Sequence, residues 1–189
     1  MNFLAHALLS SFDGEILLGN LMADFLKPGV PVPSNERVRL GIQRHYSIDH
    51  FMDTHPLVAR SRARLFPSYR HYSAVLVDVF YDHLLATNWE DFCEHPLPEF
   101  ASWVYGELDV RHDLMPPRML NVIPAMRKDN WLVSYAQPTG VRYALQRVHH
   151  RSPRAPEGDE AWEAFDQEKS LYEAEFLEFF PQVLKLCGM

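Results

Sequence analysis

Residues 73–89 are SAVLVDVFYDHLLATNW, and the structure of this run decides the fold class of the chain. Its central part, VLVDVFY, carries the β-branched and aromatic residues that are typical of a strand. The run continues through Leu84 and Leu85 without a turn signal, however, and it is longer than an ordinary strand. We therefore expect a helix here.

The segments on either side of this run also have helical patterning. Three prolines and a glycine in KPGVPVPS exclude regular structure at 27–34. The spacing of apolar residues and the positions of the remaining prolines predict helices over 2–10, 14–26, 35–53, 56–66, 98–107, 118–128 with a kink at Pro124, 129–136, 138–150 and 160–179, with a loop at 151–160. Together they predict an all-α, single-domain helical bundle across residues 1–189.

The composition excludes several classes of protein. No apolar run approaches the roughly 18 residues that cross a bilayer, so we expect no membrane insertion. The start, MNFLAHALLSSFDGE, lacks the basic region of a signal peptide. The net charge of −7 argues against general nucleic-acid binding. Cys93 and Cys187, the only cysteines, fit a reducing cytoplasm.

The charge is unevenly distributed along the chain. Between residues 37 and 70 there are seven arginines, and the only acids are Asp49 and Asp53. A positive segment on an acidic protein indicates an anionic partner, and the alternative is a set of solvated helix faces. A second basic helix ends in His149 and His150, and these two histidines are expected to face water. The arginines at 142–154 are the next candidate for the surface that meets the anionic partner.

A row of ionisable residues lies at helical spacing in the third predicted helix. His45, Asp49 and Asp53 are spaced i, i+4 and i+8, which places all three on one helix face with a drift of about 40° per step. Asp78 and Asp82 repeat the i, i+4 spacing within a strongly apolar run. Burying such groups unpaired is costly, and a shared divalent cation is one remedy.

Two further polar residues stand alone in apolar segments. His6 lies between Leu4 and Leu8, and Asp24 precedes Phe25. A single histidine of this kind is usually a core residue whose hydrogen bonds are satisfied. The combined set is stronger evidence for a metal site, and its members are His6, Asp24, His45, Asp49, Asp78 and Asp82. Imidazole and carboxylate ligands suit Mn²⁺, Fe²⁺, Mg²⁺ or Zn²⁺ without choosing among them.

Four stretches carry a family resemblance in their order and spacing. They are MNFLAH at 1–6, GNLMADF at 19–25, GIQRHYSIDHFMDTHP at 41–56 and VLVDVFYDHLLATNW at 75–89. With them the chain resembles the bacterial acyl carrier protein phosphodiesterases, also called acyl carrier protein hydrolases. The resemblance covers nearly the whole chain, and its informative part is residues 1–90.

The resemblance implies a helical fold distantly related to HD-domain phosphohydrolases. It implies hydrolysis of the phosphodiester between a carrier-protein serine and 4′-phosphopantetheine, which gives apo carrier protein and free 4′-phosphopantetheine. Mn²⁺ is the expected metal, and the expected partner is holo acyl carrier protein. Metal or catalytic roles are implied for all six residues of the set. The helical doublets are Asp49-His50 and Asp82-His83 and not His-Asp, so the exact ligand set stays open.

The catalytic residues expected from the resemblance and the chemistry are Asp24, His45, Asp49, Asp82 and His83. A carboxylate such as Asp49 or Asp82 is expected to orient the attacking water or accept its proton. His83 or His55 is expected to protonate the leaving serine oxygen.

Three arginines are the expected substrate-binding residues. Arg44 or Arg60 is expected to hold a non-bridging phosphate oxygen, because a guanidinium suits phosphate. Arg60 and Arg64 share a helix face by their i, i+4 spacing, and they are expected to dock the acidic carrier protein.

Two alternatives stay open at this point. One is a metal-dependent phosphohydrolase of a nucleotide or another small phosphoester, which shares every ligand. The other is a non-enzymatic helical binding module whose polar residues satisfy one another.

Overall fold

The computed structural model describes residues 2–27, 29 and 31–189, and this part of the chain contains helices and no strand. The all-α prediction is therefore confirmed. The α-helices are α1 Phe3–Leu8, α2 Gly14–Met22, α3 Glu36–Thr54, α4 Pro56–Tyr69, α5 Tyr72–Thr87, α6 Leu97–Val110, α7 Pro117–Leu120, α8 Ile123–Lys128, α9 Trp131–Ser134, α10 Pro138–Arg151, α11 Gly158–Asp166 and α12 Lys169–Leu186. Short 3₁₀ turns occur at Ala23–Phe25, Trp89–Asp91 and His112–Leu114.

Helix α5 is the centre of the bundle. It packs against α1, α4, α10 and α12, so apolar side chains are buried on several of its sides. A helix enclosed in this way shows little amphipathic periodicity. This explains why its sequence resembles a buried strand, although the chain forms a helix as predicted.

Helices α2 and α3 touch through their backbones. A Cβ atom on Gly19 would overlap the carbonyl oxygen of Val38, and a Cβ on Gly41 would overlap that of Ile16. Both positions therefore require glycine. This close approach brings the C-terminal end of α2, with Asp24 just beyond it, against the middle of α3.

The boundaries of α3 and α4 follow the capping signals of the sequence. Asn35 accepts hydrogen bonds from the amides of Arg37 and Val38 at the start of α3. His55 caps α4 by accepting from the amide of Leu57, and Pro56 occupies the first turn.

The second half of the chain differs from the prediction in three places. The single kinked helix expected over 118–128 is two short helices, α7 and α8, because Pro124 lies in the first turn of a new helix. The loop expected at 151–160 ends early, since α11 begins at Gly158.

The acidic helix expected over 160–179 is divided into α11 and α12, and α12 continues to Leu186. The break lets two successive aromatic faces turn inward. Phe165 of α11 lies with its ring centroid 4.6 Å from that of Phe80, and Tyr172 of α12 packs on the same ring at 5.7 Å. No proline or glycine lies between residues 159 and 180, so the sequence carries no helix-breaking signal there.

Almost all buried apolar side chains of the described residues belong to one contiguous core, and Val148 and Ala155 are the exceptions. In this part of the chain no helix is both long enough and apolar enough to cross a membrane.

Candidate metal centre and its cavity

Three predicted side chains converge where α1 crosses α3. His6 Nε2 lies 3.2 Å from Asp49 Oδ1, and His45 Nε2 lies 3.0 Å from Asp49 Oδ2. The two imidazole rings stack with their centroids 4.2 Å apart. One potential ligand atom from each residue lies within 4.8 Å of the other two. The i, i+4 spacing of His45 and Asp49 therefore produces the shared face that the sequence predicts.

Asp24 adds a second carboxylate to this cluster. It lies in the 3₁₀ turn after α2, and its Oδ1 is 3.4 Å from His45 Nε2. The Asp24 side chain is more than half exposed, whereas His6 and His45 are buried. The cluster therefore has a buried imidazole side and an open carboxylate side.

The cluster holds its carboxylates ionised. Burial acts to raise the pKa of Asp49, but its contacts with His45 and His6 prevail and lower it well below its usual range. The pKa of Asp24 is also lowered, because its contact with His45 outweighs burial. Burial acts to lower the pKa of His45, and the two carboxylates raise it to about 9. The two ionised carboxylates therefore stabilise positive charge at this position, which the protonated ring of His45 carries when no other cation is bound.

Asn20 determines which nitrogen of His6 faces Asp49. The Asn20 amide donates from Nδ2 to the His6 carbonyl oxygen at 2.8 Å and to Ser10 Oγ at 3.1 Å. Its Oδ1 consequently accepts from His6 Nδ1–H at 2.8 Å. The network assigns the His6 hydrogen to Nδ1, and burial lowers the pKa of His6, so the neutral ring presents the lone pair of Nε2.

This donor set fits a divalent transition metal. The lone pair of His6 Nε2 faces a carboxylate oxygen of Asp49 at 3.2 Å, and either a second proton on His6 or a bound cation would relieve the repulsion between these two electron-rich atoms. Two imidazole nitrogens with one or two carboxylates suit Mn²⁺, Fe²⁺ and Zn²⁺. The buried amide behind His6 is the kind of outer hydrogen bond that orients metal-binding histidines.

Asp78 lies beside the cluster but outside the set of three converging ligand atoms. It is half-buried on α5 and lines the same cavity as Asp24 and Asp49. Burial raises its pKa. Its predicted role as a ligand remains a prediction.

Asp82 occupies a different environment from the one its spacing suggested. It is fully buried, and its oxygens accept hydrogen bonds from the amides of Leu4 at 2.8 Å and Ala5 at 3.2 Å. Burial raises its pKa to about 7, against the opposing effect of these two amides. Asp82 therefore caps the first turn of α1, the helix that carries His6, and both oxygens are engaged there.

His83 lies in the aromatic core. Its Nδ1–H donates to the carbonyl oxygen of Tyr135 at 2.7 Å, and its ring meets Trp162 and Phe165 edge to face. Burial lowers its pKa. The expectation that His83 protonates a leaving group does not match this position, because one residue along a helix turns the side chain by about 100° from Asp82.

His55 and Asp53 are likewise engaged elsewhere. His55 caps α4, with its Nε2 3.3 Å from Gln182 Oε1. Asp53 pairs with Arg62 at 2.8 Å.

The three predicted substrate-binding arginines do not line the cavity. Arg44 donates to the carbonyl oxygen of Leu9 at 2.8 Å and braces the turn after α1. Arg64 makes a bidentate pair with Glu175 of α12, with both N–O distances 2.6 Å. Arg60 is exposed on α4. The charge of Arg64 is thus already paired, and the docking role of Arg60 and Arg64 stays a prediction.

A cavity of about 550 Å³ opens beside the cluster. One part of its wall is acidic and is formed by Asp24, Asp49 and Asp78. Other parts are apolar, as at Phe3 and Trp131. The remaining wall is basic, and its members are Arg118, Arg147, His150 and Arg151. Sequence reasoning assigned no phosphate-binding role to this basic wall, since its residues lie outside the four motifs; it named the arginines at 142–154 only as the second candidate for the docking surface.

Comparisons with known proteins agree on one family. The family model described as acyl carrier protein phosphodiesterase matches residues 1–183. The chain is 30% identical to the acyl carrier protein phosphodiesterase of Photorhabdus laumondii subsp. laumondii, over 98% of this chain and 94% of that protein. It is 30% identical to the acyl carrier protein phosphodiesterase of Yersinia pestis, over 98% of this chain and 96% of that protein. It is 29% identical to the one from Klebsiella pneumoniae subsp. pneumoniae, over 99% of this chain and 97% of that protein.

No solved structure matches the chain, so the predicted relation to HD-domain proteins stays a prediction. The family match extends over nearly the whole sequence, including the segments that carry the cluster and the cavity. This chain belongs to the acyl carrier protein phosphodiesterase family.

Proposed function

We propose that His6, His45 and Asp49 hold a divalent metal, Mn²⁺ first, with Asp24 as a further ligand. The protein then hydrolyses the phosphodiester that links 4′-phosphopantetheine to the serine of holo acyl carrier protein. The observation that carries the metal proposal is the convergence of two imidazole nitrogens and a carboxylate within 4.8 Å. Family membership supports the substrate and the reaction.

The chain's own residues supply the remaining parts of the reaction. A divalent metal, when bound, neutralises the phosphodiester charge and lowers the pKa of water at the site. Asp24 carries an ionised carboxylate with more than half of its side chain exposed, so it is able to accept a hydrogen bond from water that enters the cavity and to orient it.

A proton donor is also needed for the leaving serine oxygen. Among the cavity carboxyl groups, Asp78 alone has a raised pKa, while those of Asp24 and Asp49 are lowered. Asp78 therefore keeps a proton to the highest pH of the three, and opposite shifts in neighbouring carboxyls are typical of an acid and base pair. We propose that Asp78, which lines the same cavity, is this donor in place of the ligand role that the sequence predicts for it.

The test is metal removal followed by separate addition of Mn²⁺, Mg²⁺, Fe²⁺ and Zn²⁺. Mass spectrometry of the carrier protein measures the conversion of the holo to the apo form. Turnover is expected to disappear on chelation and to return best with Mn²⁺. Full turnover by protein that elemental analysis shows to be metal-free would refute the metal proposal.

Substitutions locate the site in the same assay. Asp24→Ala, His45→Ala and Asp49→Ala are each expected to lower turnover by orders of magnitude. His112→Ala and Asp113→Ala are the controls, because both side chains are exposed and lie outside the cluster. Loss of turnover in the controls, with near-normal turnover in Asp24→Ala, would place the chemistry elsewhere.

We also infer that the protein acts in the cytoplasm. Cys93 and Cys187 are both free thiols, which fits a reducing compartment. Fractionation of cells that express the protein at its natural level tests this location.

A further inference from the structure

Arg147 is held flat in the basic wall of the cavity. Its guanidinium carbon lies 3.5 Å from the ring centroid of Trp131 and 4.8 Å from that of Tyr143. Trp131 is itself buried, so it forms a firm platform. A guanidinium stacked in this way loses much of its conformational freedom and keeps its N–H groups directed around its edge.

No carboxylate of the described residues forms an ion pair with this cation, and Asp129 acts on its charge only from a greater distance. Its nitrogen atoms form no ion pair and donate no hydrogen bond within residues 2–27, 29 and 31–189. Arg142 on the same helix provides the contrast, since its guanidinium lies over Trp162 and is paired with Asp159 at 2.6 Å. A half-buried guanidinium whose donors have no partner is an anion-binding group.

The surroundings of Arg147 add to this positive charge. Arg118 and Arg151 also line the cavity, both are exposed, and neither pairs with a carboxylate in the described part of the chain. Burial lowers the pKa of Arg147, yet an arginine remains charged near neutral pH. The basic wall and the acidic wall of Asp24, Asp49 and Asp78 therefore face one cavity of about 550 Å³.

We propose that Arg147, stacked on Trp131 and aided by Arg118 and Arg151, binds the phosphoryl oxygens of the substrate within the cavity. This inference rests on the proposed function for the identity of the substrate. A planar guanidinium matches two phosphoryl oxygens, and Arg147 lines the same cavity as Asp24 and Asp49 of the candidate metal centre. Arg147 thereby replaces Arg44 and Arg60 as the phosphate-binding arginine.

The direct test is calorimetric titration of inorganic phosphate into the full-length protein after chelation. Circular dichroism first establishes that each variant is folded. Wild-type protein is expected to bind phosphate, and Arg147→Gln to bind it at least about tenfold more weakly. Arg147→Lys keeps the positive charge but loses the planar arrangement of donors, so its phosphate affinity is expected to lie between those of the wild type and Arg147→Gln. It replaces Arg147→Gln in the test if the glutamine variant does not fold.

Arg142→Gln is the matched control, because it removes a stacked arginine from the same helix whose charge is already paired. Its phosphate affinity is expected to equal that of the wild type. Equal affinity in Arg147→Gln and wild type, or no phosphate binding by the wild type, would overturn the proposal. The phosphate titration uses metal-free protein, so its result does not depend on whether the metal proposal is correct. Failure of the phosphate-binding proposal and failure of the metal proposal can therefore be told apart.

A second measurement distinguishes phosphoryl binding from protein docking. The affinity of apo carrier protein, which lacks the phosphopantetheine group, is expected to be the same for Arg147→Gln and wild type. The kcat/KM for holo carrier protein with Mn²⁺ is expected to fall at least about tenfold. An equal loss of affinity for apo and holo carrier would assign Arg147 to docking and overturn the phosphoryl role.

Discussion

Asn20 and His6 are joined by two hydrogen bonds, one between their side chains and one from the Asn20 amide to the His6 carbonyl oxygen. The second bond prevents the amide from turning over, because the NH₂ group must face that carbonyl. Oδ1 therefore faces Nδ1, and the Nε2 lone pair of His6 is directed at Asp49. Asn20 is fully buried, so no water competes for these bonds.

Removing this amide is expected to weaken metal binding. Asn20→Ala releases the His6 ring and is expected to reduce Mn²⁺ affinity by about 10- to 100-fold. Isothermal titration measures this affinity directly, without turnover. Ser10→Ala is the control, since Ser10 contacts Asn20 and the His6 carbonyl but not the ring. Wild-type affinity in Asn20→Ala, with the fold intact, would refute the orienting role.

His83 is expected to matter for stability and not for chemistry. His83→Asn retains an N–H group for the Tyr135 carbonyl but loses the ring contacts with Trp162 and Phe165. Urea denaturation is expected to show a loss of roughly 1–3 kcal/mol in the free energy of unfolding. The kcat of the folded variant is expected to stay close to that of the wild type. A kcat reduced by orders of magnitude would restore His83 as a proton donor.

Arg64 is expected to be a structural residue. Its bidentate pair with the largely buried Glu175 ties α4 to α12, so Arg64→Gln leaves that carboxylate without its main partner. The expected cost is roughly 2–3 kcal/mol of unfolding free energy. Arg60→Gln, on the exposed face of the same helix, is expected to change stability by less than about 0.5 kcal/mol. Equal effects of the two changes would contradict this assignment.

Glu175 is expected to contribute a dependence of stability on pH. Burial acts to raise its pKa, but hydrogen bonds from Arg64 and Ser61 prevail and lower it. The folded carboxylate thus binds fewer protons than the unfolded one. Its stabilisation is complete above the usual glutamate pKa and is lost as pH falls through the lower folded value.

Comparison of variants isolates this contribution from those of other carboxylates. Between about pH 5 and pH 3, the free energy of unfolding is expected to fall less steeply for Glu175→Gln than for the wild type. Glu178→Gln is the control, because Glu178 is exposed on the same helix and should leave the slope unchanged. Parallel curves for wild type and Glu175→Gln would disprove the contribution.

Local rules explain which site residues the sequence predicted. His45 and Asp49 lie four residues apart on one continuous helix, so their shared face follows from helical geometry alone. The same rule pairs Asp78 with Asp82, but it does not say what surrounds each of them. The start of α1 docks on Asp82, while Asp78 opens to the cavity. Helical spacing therefore identified Asp78 and Asp82 as a pair, but it did not show that Asp82 caps α1 while Asp78 lines the cavity.

The basic wall shows the opposite case. Arg147 and Arg142 look equivalent in the sequence, since both lie on α10 near aromatic residues. Only the position of Asp159 on α11, which pairs with Arg142, distinguishes them. The break between α11 and α12 had no sequence signal either, because its cause is the packing of Phe165 and Tyr172 on Phe80.

The sequence by itself determined the all-helical class, most helix starts and the set of His and Asp residues from which the candidate site is built. These features depend on neighbours within one or two helical turns. The tertiary structure alone decided which of those residues converge, that Asp82 caps α1, and that Arg147 forms no ion pair among the described residues while Arg64 does. Such outcomes depend on contacts between residues that are far apart in the chain. The spacing of residues along the sequence does not determine how close such residues lie in the folded protein.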